Sequence, residues 1–380
     1  MWITLSSLIR ILAISVVVLI HASSVHENGL MVHFPDIFQW KFGEELTAVI
    51  LSQIARFCVP VFLILSGFAL SERYSAPGSM DSIASIREFY KKRMFRVFIP
   101  YFFWTMLALF TIYVSPLFAR YKADGWEGVW KLGSHFAFIR GADYHFYFLI
   151  IIFQMYVLFP LFARFRTISL WVLLGILHLI LCSPSHQILL SMGIKKYVFP
   201  STVFINWMFY FYTGMVFSRY KPAIVTWIKS KSGTWFFLLY LLSLGILLGE
   251  YFYYYSQKIK PDFFNHFQRM TVVFYSLTVW IVFFRFFPED AAWQERFKNN
   301  YFLRNAKAVS FWGGLTFHVY LFHTLYLRIT EWALKSLGVY AFTFSFVITL
   351  GLSFASAYLF WNGIQRLPEK WKKLDTIFGF

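Results

Sequence analysis

Cysteine is nearly missing from this chain. Its two residues, Cys58 and Cys182, lie in or beside apolar runs with no metal-ligand spacing, so neither a disulfide framework nor a zinc site is indicated. Charge is scarce too: 14% of the residues are charged, where a soluble domain carries about a quarter. Acidic residues are the rarer kind, 18 against 35 Lys and Arg. No basic leader followed by a small-residue cleavage site opens the sequence, and the first apolar run is therefore expected to remain as a helix. Internal repeats, low-complexity tracts and an appended polar domain are also lacking. The expectation is a single unit over residues 1–380, whose activity resides in its helices and short loops.

What the chain does hold is apolar surface. Hydrophobic residues make up 59% of it, with 49 Phe, 23 Tyr and 15 Trp among 380 residues. Such a composition predicts an all-α, polytopic membrane helix bundle. Allowing roughly 20 apolar residues per span, ten transmembrane segments are expected, at about 3–24, 48–70, 94–115, 146–163, 168–183, 198–217, 234–254, 271–287, 309–329 and 338–361. Lys and Arg are denser in the connections on the N-terminal side, as at Arg87, Lys91, Lys92 and Arg93 and at Lys370, Lys372 and Lys373. The positive-inside rule then puts both termini in the cytoplasm. A formal charge of +17 would suit nucleic acid in a soluble protein. Here membrane lipid is the expected partner, with basic loops held against an anionic leaflet.

Ionisable groups within spans are costly and mark functional candidates. RILAISVVVLIH, residues 10–21, places two in the first helix. Arg10 and His21 are eleven residues apart, three turns plus about 20°, with an axial rise of about 16 Å. They share one face. Snorkelling of Arg10 to headgroups and a hydrogen-bonded bundle histidine at 21 are the simpler alternatives, but both on one stripe make coincidence less attractive.

Further candidates cluster at two levels. KKRMFRVFIPY, residues 91–101, brings Lys92, Arg93 and Arg96 to the level of Arg10, either as positive-inside anchors or as forked donors for the phosphates of a nucleotide cofactor. At the level of His21 lie His145 and Tyr147 in DYHFYFL, and Tyr320 and His323 in FHVYLFH. His318 and His323 are about 140° apart on a helix, a poor joint metal site. Several span histidines with few carboxylates favour acid/base or hydrogen-bonding work over metal ligation. In RFCVPVFLILSGF, Arg56 at the outer end suits a lipid-linked phosphate or the acidic first loop, and Ser66 with Gly67 suits close helix packing.

Taken together, the motifs resemble the acyltransferase 3 family, integral membrane O-acyltransferases that modify bacterial cell-surface carbohydrates. The resemblance rests on Arg10 and His21, the run Val59 to Phe68, the set Arg93, Arg96, Pro100 and Tyr101, the pair His145 and Leu149, and the pair Tyr320 and His323, in the family's order. The chain looks most like its short stand-alone members. That resemblance implies transfer of an acetyl, or alternatively succinyl, group from acetyl-CoA or another short acyl-CoA, with no metal. It implies donor phosphates on Arg10, Lys92, Arg93 and Arg96, and His21 acting on the acyl group with Arg10. His145, Tyr147, Tyr320, His323 and Arg56 would lie around the acceptor, a polysaccharide or polyprenyl-linked glycan on the outer side of a bacterial cytoplasmic (inner) membrane. Nucleic acid is not an expected partner. A transporter or flippase of lipid-linked sugar is the rival reading, against which stand the undetected repeat and phosphate-binding candidates on one side only.

Overall fold

The computed structural model describes residues 2–33, 44–76, 78–113, 127, 144–182, 202–257, 265–339, 341–372 and 374–380. Every regular element among them is helical. Helix α1 runs Ile3–His33. It is followed by α2 (Glu44–Ile54), a 3-10 turn at Ala55–Phe57, and α3 (Cys58–Arg73). Next come α4 (Ile83–Arg93), a wide π turn at Met94–Phe98, α5 (Ile99–Tyr113), a 3-10 turn at Tyr144–Phe146, α6 (Tyr147–Arg164) and α7 (Ile168–Leu181). Helices α8 (Met208–Arg219), α9 (Lys221–Ser230), α10 (Gly233–Ser256), α11 (Met270–Phe286) and α12 (Asp290–Arg296) precede the C-terminal group. That group is α13 (Ala306–Gly314), α14 (Thr316–Ser336), α15 (Phe342–Gln365) and α16 (Leu374–Phe378).

Each of the ten expected segments contains a helix, but the length needed to cross a bilayer is less common. Among the described residues five helices are long and apolar enough: Ile3–Ser24, Leu46–Arg73, Tyr147–Arg164, Gly233–Ser256 and Phe342–Gln365. A sixth candidate is the pair α11 and α12, bent by 72°. The reasons are local. α5 has 15 residues and α8 has 12, while α14 is long but carries Arg328, Glu331 and Lys335 in its last turns. The expected ends at 114–115, 183 and 198–201, and position 340 within the last segment, lie outside the described residues.

Proline explains two irregularities that later matter. Pro60 has no N–H to give the carbonyl of residue 56, and the chain tightens into the 3-10 turn before α3. Pro100 removes the bond to the carbonyl of Arg96 and would clash with it. The chain widens instead, and Ile99 N–H reaches back to Met94 O.

Helix starts are conventional where they are exposed. Ser82, Thr167, Ser232 and Asn305 accept from a backbone N–H in the first turn of α4, α7, α10 and α13. α1 is capped from a distance: Ile3 and Thr4 N–H donate to the two carboxylate oxygens of Asp290 at 3.0 and 2.9 Å. An anion at a helix N-terminus satisfies orphan donors and the macrodipole together.

α1 is the central element and packs on α2, α3, α13, α14 and α15. Two crossings bring backbones into contact. A Cβ at Gly67 of α3 would fall 1.9 Å from Phe211 O, and one at Gly214 of α8 would fall 1.9 Å from Ile64 O. On α13, a Cβ at Gly313 would fall 2.4 Å from the Ser7 Cβ. Small residues at such points are how membrane helices approach closely. α10 and α15 turn apolar side chains outward, including Leu238, Leu242, Phe344 and Leu359, the surface that a lipid solvent would cover.

Candidate active site

Because eleven residues make three turns, Arg10 and His21 face the same way, and both line one cavity of about 440 Å³. The cavity is basic at one end. There Arg93 and Arg96 join Arg10, carried by α4 and the wide turn that Pro100 imposes. Arg93 lies 5.6 Å from the ring centre of Tyr156 and 5.7 Å from that of Phe89, and it hydrogen-bonds Tyr156. Arg10 and Arg96 also lie within electrostatic range of Tyr156. No Asp or Glu side chain lines the cavity among the described residues. Three guanidiniums sharing a wall with no Asp or Glu side chain favour a polyanionic ligand, whose binding relieves their mutual repulsion.

Beside this end opens a groove of about 340 Å³ that shares Arg93 and Arg96 and adds Arg73, Glu88, Lys91, Lys92 and Phe95. Lys92 is exposed and pairs with Glu88 at 3.1 Å. It therefore borders the approach to the cavity and does not line it.

Between the ends the walls are apolar, formed by Val17, Val59, Phe62, Leu65, Phe148 and Ile152 among others. At the far end three imidazoles converge. The ring centre of His323 is 5.2 Å from that of His21 and 4.8 Å from that of His145, and His21 and His145 are 6.5 Å apart. His145 sits in the 3-10 turn ahead of α6, and Tyr320 O–H ties that turn to α14 by donating to the His145 carbonyl at 2.5 Å. His323 is fully buried, with Nδ1 against the carbonyls of Tyr320 at 2.8 Å and Val319 at 3.2 Å. Carbonyls only accept, so Nδ1 carries the hydrogen and Nε2 the lone pair in the neutral ring. Among the described residues no group of three His, Cys, Asp or Glu is arranged to hold a metal ion. An imidazole facing a low-dielectric tube can accept a proton from a hydroxyl or attack an activated carbonyl.

The structure thus brings Arg10, His21, Arg93, Arg96, His145, Tyr147 and Tyr320 onto one cavity. His323 is not on its wall; it stacks behind His21, 26° from parallel. Arg56, expected to face an acceptor, is placed elsewhere. It is not among the residues that line the cavity and sits in a buried network, where Nη2 donates to Asn265 Oδ1 at 2.5 Å and the guanidinium lies 5.2 Å from the Phe267 ring centre. Gln53 joins Asn265 to Arg269, which pairs with Glu250 at 3.3 Å. His318 also faces away, with Nδ1 on Phe378 O at 2.7 Å and Nε2 3.4 Å from Ser356 Oγ.

Several lining residues escaped sequence reasoning. Tyr156 had a usable signal, since it follows His145 by eleven residues, the interval that separates Arg10 from His21. Ser66 was read as packing, yet it lines the cavity while Gly67 makes the crossing. Thr316, Gly379 and Phe380 had none, because nothing local tells which distant helix a segment will meet.

Apolar helices turned outward around an internal cavity, with guanidiniums at one end and imidazoles at the other, define an integral membrane protein with a polar site inside its bundle. Residues 6–360 match the family model described as an acyltransferase domain, that of acyltransferase 3. The chain belongs to the acyltransferase 3 family and is a multi-pass membrane acyltransferase. No curated protein and no solved structure gives a match.

Proposed function

We propose that the protein transfers an acetyl or other short acyl group from acyl-CoA to a hydroxyl of a cell-surface or polyprenyl-linked glycan. What carries this reading is a single cavity with Arg10, Arg93 and Arg96 at one end and His21 at the other. The donor's phosphates lie on the guanidiniums, with Lys92 at the approach. Its uncharged arm follows α1 for the roughly 16 Å that eleven helical residues span, and the thioester reaches His21. His21 takes the proton of the acceptor hydroxyl, the oxygen attacks the thioester carbon, and the C–S bond breaks. The CoA thiolate leaves and receives the proton. In the variant route the acyl group rests on His21 first. His145, Tyr147 and Tyr320 orient the hydroxyl or stabilise the developing oxyanion. His323 supports His21 from behind. In this reading the N-terminus and the basic end face the cytoplasm, the imidazoles lie in the outer half, and the membrane is the cytoplasmic membrane of a bacterium. The excess of Lys and Arg on that side supports it.

The test is purified protein with acetyl-labelled acetyl-CoA and a glycan acceptor. Free CoA and labelled glycan are expected from the wild type. His21→Ala is expected to abolish transfer, and Arg10→Ala to raise the donor KM at least tenfold. Full transfer by His21→Ala would remove His21 from the chemistry. A protein that binds no acyl donor but moves lipid-linked sugar would be a transporter.

A further inference from the structure

The last seven residues fold back onto the bundle, and two of them border the cavity. α16 packs on α5 and α15. Trp104 Nε1–H donates to Ile377 O at 3.0 Å, and His318 Nδ1 meets Phe378 O at 2.7 Å, a contact that spans 60 residues of chain. The Phe378 ring lies 5.0 Å from that of Phe360, and the Phe380 ring stacks on His318 at 4.9 Å, 6° from parallel. Gly379 sits between them at φ 81°. A Cβ there would come within 3.0 Å of Phe317 and Leu321 side-chain carbons and 3.1 Å of His318 N, so glycine alone lets this stretch lie flat on α14.

Its place along the cavity follows from α14. Phe317, beside Gly379, precedes His323 by six residues, about 9 Å along the axis. His323 stacks on His21. Gly379 and Phe380 therefore border the stretch that separates the guanidiniums from the imidazoles.

We propose that residues 374–380 form a side wall of the donor track. His318 and Trp104 clasp this strap, and Phe380 sets how firmly the uncharged amide-and-methylene arm of an acyl thioester is held. This rests on the function proposed above. It also assigns a purpose to His318, a fully buried histidine that the transfer chemistry leaves unused. Phe380 and His318 are positioning residues: they hold the arm and make no contact with the transferred carbon.

The experiment uses the full-length protein in detergent. Phe380→Ala is expected to raise the donor KM about tenfold while kcat changes less than twofold, since the lost contact is made equally in ground and transition states. Phe380→Leu should recover most of the affinity. His318→Phe keeps the stack but loses the hydrogen bond and should behave like Phe380→Ala; His318→Asn keeps a donor near the Nδ1 position and should stay closer to wild type. A second readout needs no turnover. Cys58 and Cys182 are buried, so Phe380→Cys supplies one reactive thiol, and saturating acetyl-CoA should slow its alkylation by a maleimide at least fivefold. Wild-type transfer with unchanged KM in Phe380→Ala and unprotected alkylation of Phe380→Cys would overturn the wall and leave the function standing. A wild type that does not transfer, together with unprotected alkylation of Phe380→Cys, would overturn both.

Discussion

The crossing of α3 and α8 allows a prediction whose size comes from distances. Alanine at Gly214 would bring a Cβ to 1.9 Å from Ile64 O and 2.7 Å from Phe68 N, and alanine at Gly67 one to 1.9 Å from Phe211 O. Ordinary contact begins near 3.4 Å, so either methyl must part the helices by about 1.5 Å, and backbone cannot swing aside as a side chain can. Overpacking of this kind costs about 1–3 kcal/mol in a core that can adjust, and the rigid crossing puts each variant at about 3 kcal/mol or above. One displacement relieves both clashes. The double variant Gly67→Ala with Gly214→Ala should therefore cost little more than either single one, a coupling of about 2 kcal/mol or more against additivity. Gly245, Gly249 and Gly351 are the controls, with nothing within 4 Å of an added Cβ. Alanine at those helical sites should be neutral or stabilising by up to about 1 kcal/mol. The assay is loss of monodisperse protein after heating in detergent, compared across wild type, the single and double variants and the controls. α3 also supplies Leu65 and Ser66 to the cavity, so the crossing variants should lose transfer activity as well. Stability of Gly214→Ala equal to that of Gly245→Ala would refute the backbone contact, and strictly additive losses would refute the shared displacement.

Two other outcomes follow from the same geometry. Arg56→Met should leave the donor KM and kcat of folded protein within about twofold, because Arg56 is bonded to Asn265 and does not line the cavity, but should lower thermal stability as Asn265 Oδ1 keeps Gln53 and loses the charged one of its donors; a large kinetic defect at unchanged stability would return Arg56 to the site. Asp290→Ala removes the acceptor of the Ile3 and Thr4 N–H groups and should destabilise the start of α1 by about 1 kcal/mol, visible as faster amide exchange at residues 3–6, with Asp290→Asn intermediate.

Much of the basic end was legible from local pattern. Arg10 and His21 share a face by helical period alone, and Arg93 with Arg96 was marked as basic residues at the edge of an apolar run. The span count was less legible, because composition counts apolar residues and cannot see where Pro100 changes the turn or where α8 stops at 12 residues. The imidazole end was legible by residue type and only partly by placement. His145, Tyr147 and Tyr320 reach the cavity, yet His323 stands behind His21 and Arg56 is held by Asn265 and Phe267. Burial of a polar side chain predicts that it has a partner; it does not say whether that partner is a ligand or another helix.

The order of residues by itself determined a helical, lipid-facing protein, and it put a guanidinium and an imidazole about three turns apart on one stripe, because those properties depend on composition and on a period repeated every 3.6 residues. Tertiary structure alone decided that three histidines from α1, α14 and the turn before α6 meet, and that Phe380 returns to border the cavity. Such meetings join segments tens to hundreds of residues apart. They are selected by close packing between helix surfaces, as at Gly67 and Gly214, and no local period encodes which surfaces will touch.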